Sequence, residues 1–269
     1  MLDDQSSAKS KPRSDVPFFI GLAGLSAVYI FLVVAMLVAD ALFTSPLELW
    51  HALDSEEIRY AIKLSMISCT LTTILSMWVA VPIGYLMARY TFPGKSFVDA
   101  VLDIPIVLPP LVVGISLLIL FKYVPTFIDR WVVFELPSVI LAQFMVACAF
   151  AVRTMRMTFD QISPRQEQVA LTLGCSRSQA FWMVVLPDAK RGMLTAATLA
   201  WARSLGEFGP LLIFSGSTRM KTEVLPTTVY LEIQSGNLKG ALAVSMIMVI
   251  AAMVVLVLAR YLGLRRTVL

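Results

Sequence analysis

Uncharged apolar runs alternate with polar stretches along almost the whole chain, and the first run sets the pattern. Val16 to Ala39 gives 24 residues without a charge. A secretory signal has an apolar region of only about 7–15 residues, so this run predicts a transmembrane helix. Later runs predict further spans at Leu64–Ala88, Ile104–Phe121, Leu136–Val152, Met193–Phe214 and Gly240–Ala259. The pattern predicts an all-α membrane protein with six transmembrane helices. Residues 1–15 form a polar tail, 16–57 the first helix and a mildly acidic loop, 122–135 and 215–239 two more loops, and 263–269 a basic tail. The third run contains Pro105, Pro109, Pro110 and Gly114, which a straight helix would not choose. Its carbonyls freed by proline need a partner in neighbouring protein or cavity water, so it is either a kinked packing helix or a break lining a pathway.

One polar segment, Ser163 to Gly192, separates two of these runs and carries two helix starts. Ser163 with Pro164 and Gln166 predicts a capping box with proline at the first helical position. Ser176 with Gln179 repeats the signal. Gly174 stands where the first helix should end in a left-handed residue. Pro187 is expected to stop the second helix, having no N–H for the next turn. The segment therefore reads as two short helices around a glycine turn. Ala180, Phe181, Val184 and Val185 form an apolar stripe on the second helix. That stripe either packs on the protein's own helix ends or docks into a groove on a partner.

Composition narrows the class. Of 269 residues, 58% are hydrophobic and 15% charged, with mean hydropathy +0.80. Soluble domains carry roughly 25% charged residues, so the chain is polytopic and surrounded by membrane lipid. The net charge of +4 does not point to nucleic acid, because the cations sit at the edges of apolar runs. With the N-terminus inside, inner segments hold fourteen cations and outer segments seven. That asymmetry places both termini, and the 163–192 segment, in the cytoplasm. Cys69, Cys148 and Cys175 stand far apart, and His51 is the only histidine, so no disulfide framework and no metal site are expected. Gly94-Lys95-Ser96 resembles the end of a phosphate-binding loop, but Arg89 stands where its first glycine is required. No nucleophile–base pair is present either, so the chain is expected to be neither an enzyme nor an ATP binder.

Inside the fifth run, Arg203 and Glu207 lie four residues apart on one helix face. Each would cost roughly 2.5–3.5 kcal/mol unpaired at a helix centre. They are expected to pair, in a structural or gating role; the competing role is a positive surface for a passing oxyanion. Gly206, Gly209 and Pro210 fit a gate, since small residues let helices approach and proline permits a bend. A channel or secondary transporter is disfavoured, there being one embedded charged pair and no inverted repeat or filter sequence.

Glu167-Gln168-Val169-Ala170, then Leu173-Gly174, then Leu186-Pro187 resemble the EAA loop of the permease subunits of ATP-binding-cassette importers. Gln168 and Val169 depart from the small residues usual in that motif; its spacing is kept. The resemblance extends over a core of about 58–262, including RYTFPGK at 89–95, DIPIVLPPLVVG at 103–114 and Leu205-Gly206-Glu207-Phe208-Gly209. The last two runs are most similar to permeases for molybdate, tungstate and sulfate, with thiamine, polyamine and iron permeases more distant. The resemblance implies a type I importer fold in a bacterial inner membrane and a second permease copy, most simply a homodimer. It also implies two ATPase subunits carrying ATP and magnesium, and an extracytoplasmic binding protein. ATPase coupling would fall to Glu167, Ala170, Gly174, Cys175, Ser176, Arg177, Ala180, Phe181, Leu186 and Pro187. The pathway or gate would involve Pro109, Pro110, Arg203, Gly206, Glu207 and Gly209.

Overall fold

A computed structural model describes residues 16–265, with side chains from 18 to 261. The tail at 1–15 lies outside the described residues, and of the tail at 263–269 only helix backbone to Arg265 is described. The chain divides into two units, Met1–Ser45 and Pro46–Leu269. The first contains α1, Val16–Phe43, whose 28 residues make a rod of about 42 Å.

All the regular structure described in the second unit is helical. It runs α2 (Pro46–Asp54), α3 (Glu56–Arg89), α4 (Lys95–Val107), α5 (Pro110–Lys122), α6 (Thr126–Val132) and α7 (Leu136–Gln161). Then come α8 (Pro164–Thr172), α9 (Arg177–Ala180), α10 (Leu186–Asp188), α11 (Lys190–Leu205), α12 (Leu225–Gln234) and α13 (Leu238–Arg265). Phe181–Val185 and Leu211–Ser215 are single widened, π-helical turns.

The α3–α7 pair forms the centre, with α11 laid against both. Its buried α3 face is a row of small residues, Ala61, Ser65, Ser68, Thr72, Ser76, Ala80 and Gly84, at helical spacing. Lipid tails are as apolar as leucine, so helices in a bilayer associate by close packing and internal hydrogen bonds rather than by hydrophobic burial. Gly84 shows how close the approach is: a Cβ there would stand 2.8 Å from Met155 Cβ and 2.9 Å from the Arg156 nitrogen. Higher in the seam, the Thr72 hydroxyl donates to Gln143 Oε1 at 3.2 Å, and Gln143 Nε2 donates to Cys69 Sγ at 3.7 Å. These bonds satisfy a fully buried amide inside the bundle.

Among the described residues four helices, α1, α3, α7 and α13, are long and apolar enough to cross a membrane, or five if α4–α5 counts as one broken span. The run at Ile104–Phe121 is therefore not one straight helix. It straddles a 112° bend between α4 and α5, because Pro109 and Pro110 leave Leu108 in an extended conformation. The run at Met193–Phe214 breaks after Leu205 and resumes beyond Glu207 and Phe208. Arg153 and Arg156 do not end α7, which continues to Gln161. Arg156 pairs with Asp99 of α4 and with Asp160, and the exposed Arg153 lies 3.9 Å from Asp103, so α4 supplies carboxylates to both arginines.

Pro187 does not stop its helix either. Chain from Arg177 to Leu205 is helical almost without interruption, turning only at Ala189. The π turn just before Pro187, closed by the Leu186 N–H on the Phe181 carbonyl, widens the coil where the ring would strike a carbonyl four residues back.

Candidate functional site

The 163–192 segment is built as two capped helices braced on the end of α3. Ser176 forms the full box: its hydroxyl accepts from the Gln179 N–H at 3.3 Å, and Gln179 Oε1 accepts from the Ser176 N–H at 2.8 Å. Ser163 is a plain N-cap and not the box expected with Gln166: its hydroxyl accepts from the Arg165 N–H at 3.4 Å, and the Gln166 N–H goes to the Ser163 carbonyl. Gly174, at φ +91°, closes α8 as the left-handed residue of a Schellman turn. The Cys175 N–H reaches the Ala170 carbonyl and the Gly174 N–H that of Leu171.

Glu167 is held from inside the protein. The Tyr85 hydroxyl donates to its Oε1 at 2.6 Å, and Arg89 Nε lies 3.4 Å from its Oε2. Arg89 also donates to the Ile162 carbonyl at 2.9 Å, and Arg177 donates to the Tyr90 hydroxyl at 3.2 Å. Tyr85 stacks edge-on against Phe181, Phe159 and Tyr90. This Tyr85–Arg89–Glu167 clasp is partly shielded from water, the Arg89 and Glu167 side chains being 9% and 13% exposed. Tyr85 belongs to no motif read from the sequence, and Arg89 and Tyr90 entered only through the RYTFPGK run and the failed phosphate-loop spacing, with no link to Glu167. No local pattern links groups 82 residues apart.

The apolar stripe turns mostly inward. Ala180 is buried, Val185 is buried with Met155, Phe159 and Ile162, Phe181 packs against that cluster, and Val184 is half-buried. What the unit leaves outside is a different apolar set, Val169, Leu173, Trp182 and Met183, with Leu173 81% exposed. Gly174, Ser176 and Arg177 are exposed beside it, whereas Cys175, Leu186 and Pro187 are half-buried and Ala170 is buried.

At the other end of α11 the two proline- and glycine-bearing runs meet. A Cβ on Gly209 would lie 2.7 Å from Pro110 Cβ, and one on Gly114 would lie 2.9 Å from Pro210 Cα. The bend before α5 and the break after α11 therefore interlock glycine to proline in both directions. Gly206 is not part of that contact: its φ is −84°, and a Cβ there would meet only the Ala202 carbonyl, at 3.7 Å. Arg203 and Glu207 do pair, at 3.1 Å, with Glu207 almost completely buried and Arg203 half-buried. Arg203 also lies over the Phe150 ring, 5.6 Å from its centre. Because α11 ends at Leu205, the pair spans the helix break rather than one continuous face.

Residues 80–268 match the family model described as the inner membrane component of binding-protein-dependent transport systems, which takes in the braced unit and the interlocked break. The chain belongs to this permease family. Curated relatives include the Escherichia coli molybdenum transport system permease protein ModB, 32% identical over 211 residues, covering 76% of this chain and 92% of ModB. The E. coli sulfate transport system permease protein CysT is 28% identical over 255 residues, covering 91% and 92%. Among solved structures, a bacterial transporter that imports the acidic polysaccharide alginate superposes with a TM-score of 0.75 at 17% identity, over 94% of this chain and 96% of that one. The permease is thus a multi-pass inner-membrane transport subunit, not itself catalytic.

Proposed function

We propose that this permease forms the membrane pathway of an ATP-driven importer for a tetrahedral oxyanion, molybdate or tungstate first and sulfate next. The observation that carries the reading is the braced α8–α10 unit. It anchors its glutamate internally while turning Val169, Leu173, Trp182 and Met183 outward as a rigid apolar surface. Such a surface suits a helix-in-groove contact with an ATPase. Gly174, Ser176 and Arg177 border the contact, while Ala170, Ala180, Phe181, Leu186 and Pro187 support it from behind. The likeness to ModB and CysT supports the choice of cargo.

In this reading both termini and the α8–α10 unit face the cytoplasm, in keeping with the cation asymmetry. Two ATPase subunits, which hold ATP and magnesium, act on a homodimer of the permease, and an extracytoplasmic binding protein delivers the anion. Closure of the ATPases draws the paired units together. The rigid stretch to Leu205 then carries the motion to the break where Gly209 meets Pro110, a rocking form of alternating access.

The test pairs two measurements. The purified permease should bring down a P-loop ATPase, and Leu173→Asp should abolish that association while leaving the permease folded. Isothermal titration of the cognate binding protein should show tighter binding of molybdate and tungstate than of sulfate. Retained association in Leu173→Asp removes the docking role; binding of thiamine, a polyamine or iron in place of any oxyanion removes the cargo.

A further inference from the structure

Beyond the transport reading, we propose that the permease holds an acidic phospholipid in a groove between α3, α11 and α13. The groove has a volume of about 1000 Å³ and two chemically distinct parts. Its walls are apolar, built from Met77 of α3, Leu194, Leu199 and Ala202 of α11, and Leu256 of α13. Its other part carries three cations, Lys190 and Arg191 at the start of α11 and Arg260 near the end of α13. No acidic residue lines it, and none of the three cations forms an ion pair among the described residues.

Dimensions and charge both fit a lipid. From Lys190 to Ala202 the groove follows α11 for about 18 Å, and beyond the cation pair at its start about 15 Å remains, half of a roughly 30 Å hydrocarbon core. An acyl chain entering beside the cations therefore reaches the depth of Ala202 without leaving its own leaflet. The cations stand at the end where α11 meets the α8–α10 unit, at the level a headgroup would occupy. Basic pockets between membrane helices are suited to anionic headgroups, each Lys or Arg being worth about fivefold in binding. Three together should favour an anionic over a zwitterionic lipid on the order of a hundredfold. A small inorganic oxyanion would use the cations but leave the apolar walls unexplained. A second protein copy would leave the cations unexplained.

The test is native mass spectrometry of the full-length permease with its ATPase partner, given equal amounts of dioleoylphosphatidylglycerol and dioleoylphosphatidylcholine. The native chain should retain phosphatidylglycerol, one per permease copy. Joint replacement Lys190→Gln, Arg191→Gln and Arg260→Gln should erase the preference. Ala202→Trp, which fills the groove without altering charge, should release the lipid too. Should the triple variant fail to fold in a thermal melt, Arg260→Gln alone carries the charge test, with a loss of about fivefold. Equal retention of the two lipids by the native chain overturns the proposal. So does retention unaffected by Ala202→Trp, which would mean adsorption to a basic surface. Displacement of the lipid by molybdate alone would make the groove a station for cargo and overturn it as well.

Discussion

Tyr85→Phe removes one oxygen from the clasp that holds Glu167, and its effect can be worked out from the geometry. The hydroxyl donates to a carboxylate at 2.6 Å, and bonds to charged groups contribute about 1.5–3 kcal/mol. The ring remains, so its packing on Phe159 and Phe181 should survive. If α8 leaves its seat by local opening, that loss raises the open population by roughly 10- to 150-fold. Amide hydrogen exchange of α8 in the purified chain reads this directly: its protected amides should exchange faster by that factor in Tyr85→Phe, with α3 and α7 unaltered. Glu167→Ala should also loosen α8, and the double variant should be no looser than Glu167→Ala alone, since the hydroxyl then has no acceptor to hold. Exchange within twofold of the native chain, or additive effects of the two replacements, would refute the clasp.

Gly84→Leu drives a side chain into Met155 and the α7 backbone, so it should cost about 1–3 kcal/mol or more and lower the melting temperature in detergent. Gly209→Val meets Pro110 in the same way but at the interlocked break. Uptake into proteoliposomes should fall there while the ATPase still copurifies; unchanged uptake would separate this contact from transport. Glu207→Gln leaves Arg203 without its carboxylate across the end of α11, so uptake should fall while the affinity of the binding protein for its anion stays the same. Native uptake at normal expression would make that pair dispensable.

What could be read from sequence was local. Ser176 with Gln179, and Gly174 after α8, are contacts within a few residues, and the folded chain makes both. The Arg203–Glu207 pair was legible for the same reason, although the helix end between them was not. Hydropathy reports how apolar a window is and not which way it runs, so Ile104–Phe121 gave no measure of the 112° turn within it. The prolines at its centre did mark the place. The small-residue row of α3, Ala61, Ser65, Ser68, Thr72, Ser76, Ala80 and Gly84, emerged only from the structure, because a hydropathy run does not say which face is buried. The clasp was not legible either. Tyr85 and Arg89 meet Glu167 only because α3 and α7 pack close enough to bring the end of one beside the segment that leaves the other.

That packing decides where the molecule can bend. Between Arg177 and Leu205 the backbone is helical apart from the turn at Ala189, so displacement of the α8–α10 unit cannot be absorbed by a loop. Two places are softer: the π turn at Phe181–Val185 and the break after Leu205. The first is locked from both sides. Val185 lies in the core cluster with Met155 and Phe159, and Phe181 is wedged against Tyr85. The second is held at the break itself by glycine–proline contacts and one ion pair, and its bulky packing, Leu211 and Phe214 on Phe121, begins only beyond Pro210. Interfaces of small residues can separate and re-form without leaving large cavities, whereas an aromatic cluster cannot open without losing its contacts. A push on the outer unit should therefore pass through the π turn and be released at Gly209 and Pro110. Replacing Phe181 by alanine tests this ordering. It frees the first soft point, so ATP hydrolysis by the assembled complex should continue while uptake per ATP drops; equal losses of both would place the hinge elsewhere.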